Sequence, residues 1–173
     1  KTQGLNLNAS DMAMLPHWLK QLLTCPLPLD NAIPGTPALV LHQLTDEQRW
    51  SEMEFSFSAA AVTTDWLDRQ MGQFVLPGQP RPGLQTRALQ GMLTGFMDLV
   101  FQHAGRYWVL DYKSNWLRHY DPTTLNAAVL EKRYDVQYVL YTLALHRLLK
   151  SRLLAYDYDT HIGGAVYLFL RGI

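Results

Sequence analysis

The 173-residue sequence predicts a single α/β domain built on a mixed central sheet flanked by helices. Three stretches carry that expectation. Gly95 to Lys113 reads as a β-hairpin, two runs of apolar, β-branched and aromatic residues broken at His103-Ala-Gly-Arg106. Asp121 to about Leu154 has helical periodicity, with Asp121 placed as N-cap and Pro122 at the first helical position. Ala165 to Arg171 is an unbroken apolar run, the pattern of a strand buried on both faces.

The remaining elements follow in chain order. Asp11 to Leu23 is expected to form a short amphipathic helix, with Ser10 as N-cap, Leu15, Trp18, Leu19 and Leu22 inward, and Pro26 and Pro28 ending it. After a connection to Gly35-Thr-Pro37, Ala38 to His42 reads as a brief strand, and Glu47 to Trp50 is ambiguous. Ser51 to Ser58 alternates, with Glu52, Glu54, Ser56 and Ser58 on one face and Met53, Phe55 and Phe57 on the other. Taken alone, that acidic face reads as solvated. A helix should run from Thr63 or Thr64 to Gly72 with Trp66 and Leu67 inward, followed by a flexible proline-bearing loop from Phe74 to Gln85. Ser114 to Tyr120 is a loop, and a break near Arg133-Tyr-Asp135 divides the long helical region. Tyr156 to Asp159 is a short link, and His161, near Gly163 and Gly164, reads as an ordinary hydrogen-bonding residue.

Composition narrows the classes. At 48% hydrophobic and 17% charged the chain is globular, and its formal net charge of +0 lacks the basic excess of many nucleic-acid binders. Any phosphate-binding surface must be local or supplied by another chain. Lys132, Arg133, Arg147, Lys150 and Arg152 make the most basic region, although a solvated face is the commoner meaning of such residues. A single cysteine, Cys25, excludes an intrachain disulfide and is compatible with a reducing, cytoplasmic setting. No apolar run approaches a membrane span, and Lys1-Thr-Gln-Gly has no signal-peptide pattern. Both ends are expected to be cut from a longer protein, since the chain opens without methionine and stops just after an apolar strand. Walker, G-x-S-x-G and zinc-like cysteine patterns are missing.

The hairpin carries charge into apolar strands. With Ala104-Gly105 as the turn centre, His103 faces Arg106 and the register sets Asp98 opposite Asp111, with Lys113 on the same face. Phe96, Val100, Tyr107 and Val109 should share that face, and Met97, Leu99, Trp108 and Leu110 should fill the other. Opposed Cβ atoms lie roughly 5 Å apart, where two carboxylates repel. The bland solution is that Lys113 pairs with one acid while the other reaches solvent. The sharper one is a divalent cation held by both, the arrangement that metal-assisted phosphodiester hydrolysis needs, with a lysine near the developing charge. Gln137 and Tyr141, four apart on the long helix, place an amide and a phenol on its core side. Glu54 adds a third acid if its strand neighbours the hairpin.

These residues, Asp98, Asp111-Tyr-Lys113, an upstream glutamate and Gln137-Tyr-Val-Leu-Tyr141, resemble the PD-(D/E)XK nuclease superfamily in its RecB-like branch. Gly91 to Phe101, Leu110 to Leu117, Arg133 to Arg147 and Gly163 to Gly172 look like the C-terminal nuclease domains of exodeoxyribonuclease V beta subunits. The resemblance is looser from Asp11 to Glu54. It implies a restriction-endonuclease-like fold and a Mg²⁺-dependent deoxyribonuclease within a helicase–nuclease that processes double-strand DNA ends for recombinational repair. Asp98, Asp111 and the backbone carbonyl of Tyr112 would be metal ligands and Lys113 the catalytic lysine. Glu54 would be an accessory acid, with Glu52 competing for that role, and Gln137 and Tyr141 the branch motif lining the site. Partners implied are DNA single strands, the RecC and RecD chains and RecA. The family's metal-binding histidine has no match here, because His17 in Leu-Pro-His-Trp lies in the wrong context. That histidine is expected upstream of Lys1, and residues 1–173 alone are expected to cut weakly. A non-catalytic scaffold or DNA-binding module of the same fold is the alternative.

Overall fold

The computed structural model describes residues 9–29 and 35–173. Four strands form one sheet in chain order: β1 (Arg49–Thr63), β2 (Ala88–His103), β3 (Arg106–Lys113) and β4 (Ile162–Phe169). The first three are antiparallel neighbours, and β4 runs parallel to β3. A parallel return needs a crossover, and three helices supply it: α3 (Pro122–Glu131), α4 (Tyr134–Arg152) and the one-turn α5 (Tyr158–His161). Two more helices, α1 (Ala9–Thr24) and α2 (Thr64–Phe74), precede and follow β1. The sheet is therefore mixed, as expected.

Both faces of the hairpin are covered. On one, Leu99, Phe101, Trp108 and Leu110 pack with Leu22, Leu27, Leu39 and Leu41 from α1 and the segment after it. On the other, Met97, Val100 and Val109 pack against Tyr141, Ala144, Leu145 and Leu149 of α4. Asp121 caps α3 by accepting from the Thr123 and Thr124 N–H groups, with Pro122 at the first position. Arg133, in the left-handed region at φ 56°, separates α3 from α4 at the expected break.

Several local expectations are corrected. Ala38 to His42 is not a strand: Leu39 makes one isolated bridge with Leu27, and Leu41–Gln43 then turns as a 3-10 helix that buries Leu41. Only one residue there has a strand partner, so no ladder grows. Since α1 begins at Ala9, Ser10 sits inside its first turn rather than at its cap. Leu19 is exposed, the core side being set by Trp18 and Leu22. In α2, capped by Thr63, the buried stripe is Thr64, Leu67 and Met71, which turns Trp66 outward. The loop after α2 is not a free excursion. Arg81 donates to the carbonyls of Met71, Val75 and Leu76 and to Asp135, tying the loop to α2 and α4.

The faces of β2 are corrected too. Met97 packs with Val100 on the α4 side, while Phe96 is exposed. In β1, Trp50 stacks on Tyr107 and Met53, three residues on, joins the same α4-side cluster. Strict alternation would separate each pair. The switch occurs at one step of the ladder, between Ser51↔Leu99 and Met53↔Met97, at the level of Glu52 and Asp98, which do not pair. Glu52 takes φ 51° there, a left-handed backbone costing about 1–2 kcal/mol for a residue with a Cβ. That rotation resets which way the following side chains point.

Candidate active site

The hairpin turn is as the sequence predicts, with His103↔Arg106 as its first pair and Ala104 and Gly105 both at positive φ. The β2–β3 ladder runs only as far as Leu99↔Leu110. One step further, where Asp98 would oppose Asp111, the Asp98 side chain takes over: its Oδ2 accepts from the Tyr112 backbone N–H at 2.9 Å. A carboxylate thus replaces a main-chain acceptor, and β3 continues beside β4 to Lys113↔Phe169.

Asp111 and Lys113 both point to the α4 side and are buried, at 5% and 7% exposure. The Lys113 ammonium pairs directly with Asp111 Oδ2. It also donates to Gln137 Oε1 at 2.6 Å and sits 3.7 Å from the centre of the Tyr134 ring and 4.8 Å from that of Tyr167. Asp111 Oδ1 accepts from Gln137 Nε2 at 3.1 Å and from the Tyr141 hydroxyl at 3.2 Å. Gln137 Nε2 lies 2.6 Å from the Tyr141 hydroxyl as well, so one amide touches lysine, aspartate and phenol. The four-residue spacing on α4 is what aims both side chains at β3.

The electrostatics follow from this crowding. Burial, and then the Asp111 charge, push the Tyr141 phenol up to about 12, so it remains a neutral donor to Asp111. The same two causes raise Tyr167, whose hydroxyl donates to the Tyr134 carbonyl at 2.5 Å. Burial and the neighbouring Asp98 charge raise Tyr112.

The structure therefore gathers Asp98, Asp111, Lys113, Gln137 and Tyr141 at the point where β2 and β3 part. Glu54, paired with Phe96, lies two residues along from the Asp98 step and is exposed. Glu52 sits at that step, also exposed. Among the described residues no three histidine, cysteine or acidic side chains converge as a ready metal cluster. The available donors are nonetheless hard oxygens. Asp98 Oδ1 accepts no hydrogen bond among the described residues, and the Tyr112 carbonyl is on the adjoining residue. Such a set suits magnesium, calcium or manganese rather than a soft metal.

Sequence reasoning missed Tyr134 and Tyr167, whose rings line the lysine, because aromatic residues on a helix and a strand read as core. Arg133, grouped with the basic region, is instead engaged with Asp68 and Asp135. His161 bonds within its own turn to Asp157, in keeping with a structural role.

The chain is similar to RecB subunits of several bacteria. The RecBCD enzyme subunit RecB of Escherichia coli (strain K12) is 42% identical over 165 residues, covering 92% of this chain and 13% of that protein. The RecB subunit of Buchnera aphidicola subsp. Acyrthosiphon pisum (strain APS) is 32% identical over 173 residues, 97% of this chain and 14% of its own length. That of Haemophilus influenzae (strain ATCC 51907 / DSM 11121 / KW20 / Rd) is 36% identical over 178 residues, 99% of this chain and 14% of its own. The chain thus spans about one-seventh of these relatives. No helix among the described residues is long and apolar enough to cross a membrane. The PD-(D/E)XK nuclease model matches residues 30–172, and the chain belongs to the PD-(D/E)XK nuclease superfamily.

Proposed function

We propose that this domain is a Mg²⁺-dependent deoxyribonuclease that hydrolyses phosphodiester bonds. Its parent would be a RecBCD-type helicase–nuclease processing double-strand DNA ends for recombinational repair. The observation that carries the reading is the composition of the buried cluster. Lys113 pairs with Asp111 on β3, and Asp98 on the adjacent β2 keeps an oxygen that no described protein donor occupies. Residues that would hold the metal are Asp98, Asp111 and the Tyr112 carbonyl. When bound, a divalent ion supplies Lewis acidity toward the phosphoryl oxygen and lowers the pKa of a coordinated water.

The protein's own groups do the rest. Asp111 orients Lys113, whose ammonium stabilises negative charge gathering at the scissile phosphate. Gln137 fixes the lysine and aspartate relative to each other through hydrogen bonds to both. The neutral Tyr141 hydroxyl holds the second lone-pair region of Asp111 Oδ1. Glu54 would serve as the accessory acid, with Glu52, at the unpaired step between Ser51↔Leu99 and Met53↔Met97, competing for that role. A histidine from outside residues 1–173 would complete the metal site, so these residues alone would cut weakly. RecC, RecD and RecA are the expected partners of the full-length protein, and DNA single strands its substrate.

A Mg²⁺ titration by calorimetry on the full-length protein tests the site. Asp98→Asn should abolish the binding isotherm and Mg²⁺-dependent cleavage together. Unchanged Mg²⁺ affinity in that variant favours the non-catalytic scaffold.

A further inference from the structure

The loop that leaves β3 directly after Lys113 presents Trp116 at 77% exposure, the highest for any aromatic side chain among the described residues. Nothing in core packing requires an indole there. The backbone around it is nevertheless fastened. The Tyr120 hydroxyl donates to the Asn115 carbonyl at 3.0 Å and accepts from the Leu117 N–H at 3.2 Å. The Tyr134 hydroxyl donates to Asn115 Oδ1 at 3.1 Å, and Arg171 Nε donates to the Ser114 carbonyl at 3.1 Å. Tyr134 is the ring beneath the Lys113 ammonium, so Trp116 is indexed to the lysine through Asn115 and Tyr134. Arg118 and His119 follow it, both exposed.

We propose that Trp116 is a base-stacking platform for the DNA strand cut at Asp98, Asp111 and Lys113, with Arg118 and His119 meeting the flanking phosphates. The inference rests on the nuclease reading above. An exposed aromatic face beside an arginine is what a single strand recognises without regard to sequence. It also answers a problem posed by composition: a chain of formal net charge +0 must hold phosphate through a local surface. A partner protein would find a less suitable surface, because Ser114, Asn115, Arg118 and His119 flank the indole and Leu117 is the loop's one aliphatic side chain, too little for an apolar patch. The pinned backbone means that little order must be imposed when the base arrives.

The test uses the full-length protein carrying this domain and single-stranded oligonucleotides with one abasic site moved stepwise past the cleavage position. Trp116→Ala should raise KM for intact DNA by about tenfold, a loss that Trp116→Phe largely restores. Wild type should show a matching penalty when the abasic site falls at one particular position. Trp116→Ala should show no added penalty there, since base and indole form one interaction. Equal KM values for wild type and Trp116→Ala overturn the inference while leaving the nuclease reading intact. Additive penalties, or a loss confined to kcat, overturn it as well. If wild type shows no Mg²⁺-dependent cleavage that Asp111→Asn removes, the nuclease reading falls and this proposal falls with it.

Discussion

Two buried ionic clusters lie at the start of α4, and they are built to opposite stoichiometries. In the first, Asp135 is fully buried and receives Arg81 Nη1 at 2.8 Å and Arg133 Nε at 3.1 Å. Arg133 Nη2 also lies 2.7 Å from Asp68 Oδ1, an ion pair whose geometry falls short of a hydrogen bond. Two acids meet two cations, and the remaining guanidinium donors go to the carbonyls of Met71, Val75, Leu76 and Pro82. In the second, two residues further along the helix at Gln137, Lys113 pairs with Asp111 alone, while Asp98 beside them accepts from the Tyr112 N–H and has no cationic partner among the described residues. The first cluster closes on itself and locks the loop after α2. The second is left one positive charge short. Buried charge alone therefore does not mark a functional site here; the imbalance does.

The contrast can be broken at either cluster. The largest effect should come from Asp111→Asn, which removes the charge that organises Lys113 and should lower kcat of Mg²⁺-dependent cleavage on the order of 100- to 1,000-fold. A single-turnover assay on a single-stranded oligonucleotide reads it, and near-normal cleavage would erase the distinction between the clusters. Next is Asp135→Ala, which strands two arginines in the interior. It should cost about 3–5 kcal/mol in urea unfolding. A loss below that of Asp111→Asn would show that the closed cluster is not the structural one. Gln137→Leu leaves Lys113 and Asp111 paired but deletes the amide between them, for about 1–2 kcal/mol and a drop in cleavage smaller than that of Asp111→Asn.

The smallest effect concerns pH. The Tyr141 phenol is raised from 10.0 to about 12, so the folded protein holds that proton more tightly than the unfolded chain. Its stabilising contribution is fully present below pH 10 and is lost as pH rises from 10 to about 12. Urea unfolding across that window should give a shallower decline for Tyr141→Phe than for wild type.

The sequence made much of this legible because charge in apolar strands is rare. Asp98, Asp111 and Lys113 stand out against Val100, Val109 and Leu110, and the Ala104-Gly105 turn sets the pairing as far as Leu99↔Leu110, one step short of the expected Asp98–Asp111 pair. Asp121-Pro122 announced α3 for the same reason, a local signal with a local cause. What stayed hidden depends on long-range partners. Arg81 looked like part of a proline-bearing loop because Asp135, its counterion, lies 54 residues away. Tyr134 and Tyr167 come under the lysine only once β4 returns parallel to β3. The change of face at Glu52 has no sequence signature, since a glutamate with φ 51° reads like any other strand residue.

The Asp98 side chain has one more consequence. Its two oxygens serve different masters: Oδ2 completes the sheet by accepting from Tyr112, and Oδ1 is left for chemistry. An amide at this position still offers a carbonyl to the Tyr112 N–H while losing the charge. Asparagine should therefore leave the architecture standing and silence the reaction, whereas leucine should open the seam between β2 and β3 as well. Side by side, the two replacements separate what this carboxylate does as masonry from what it does as a reagent.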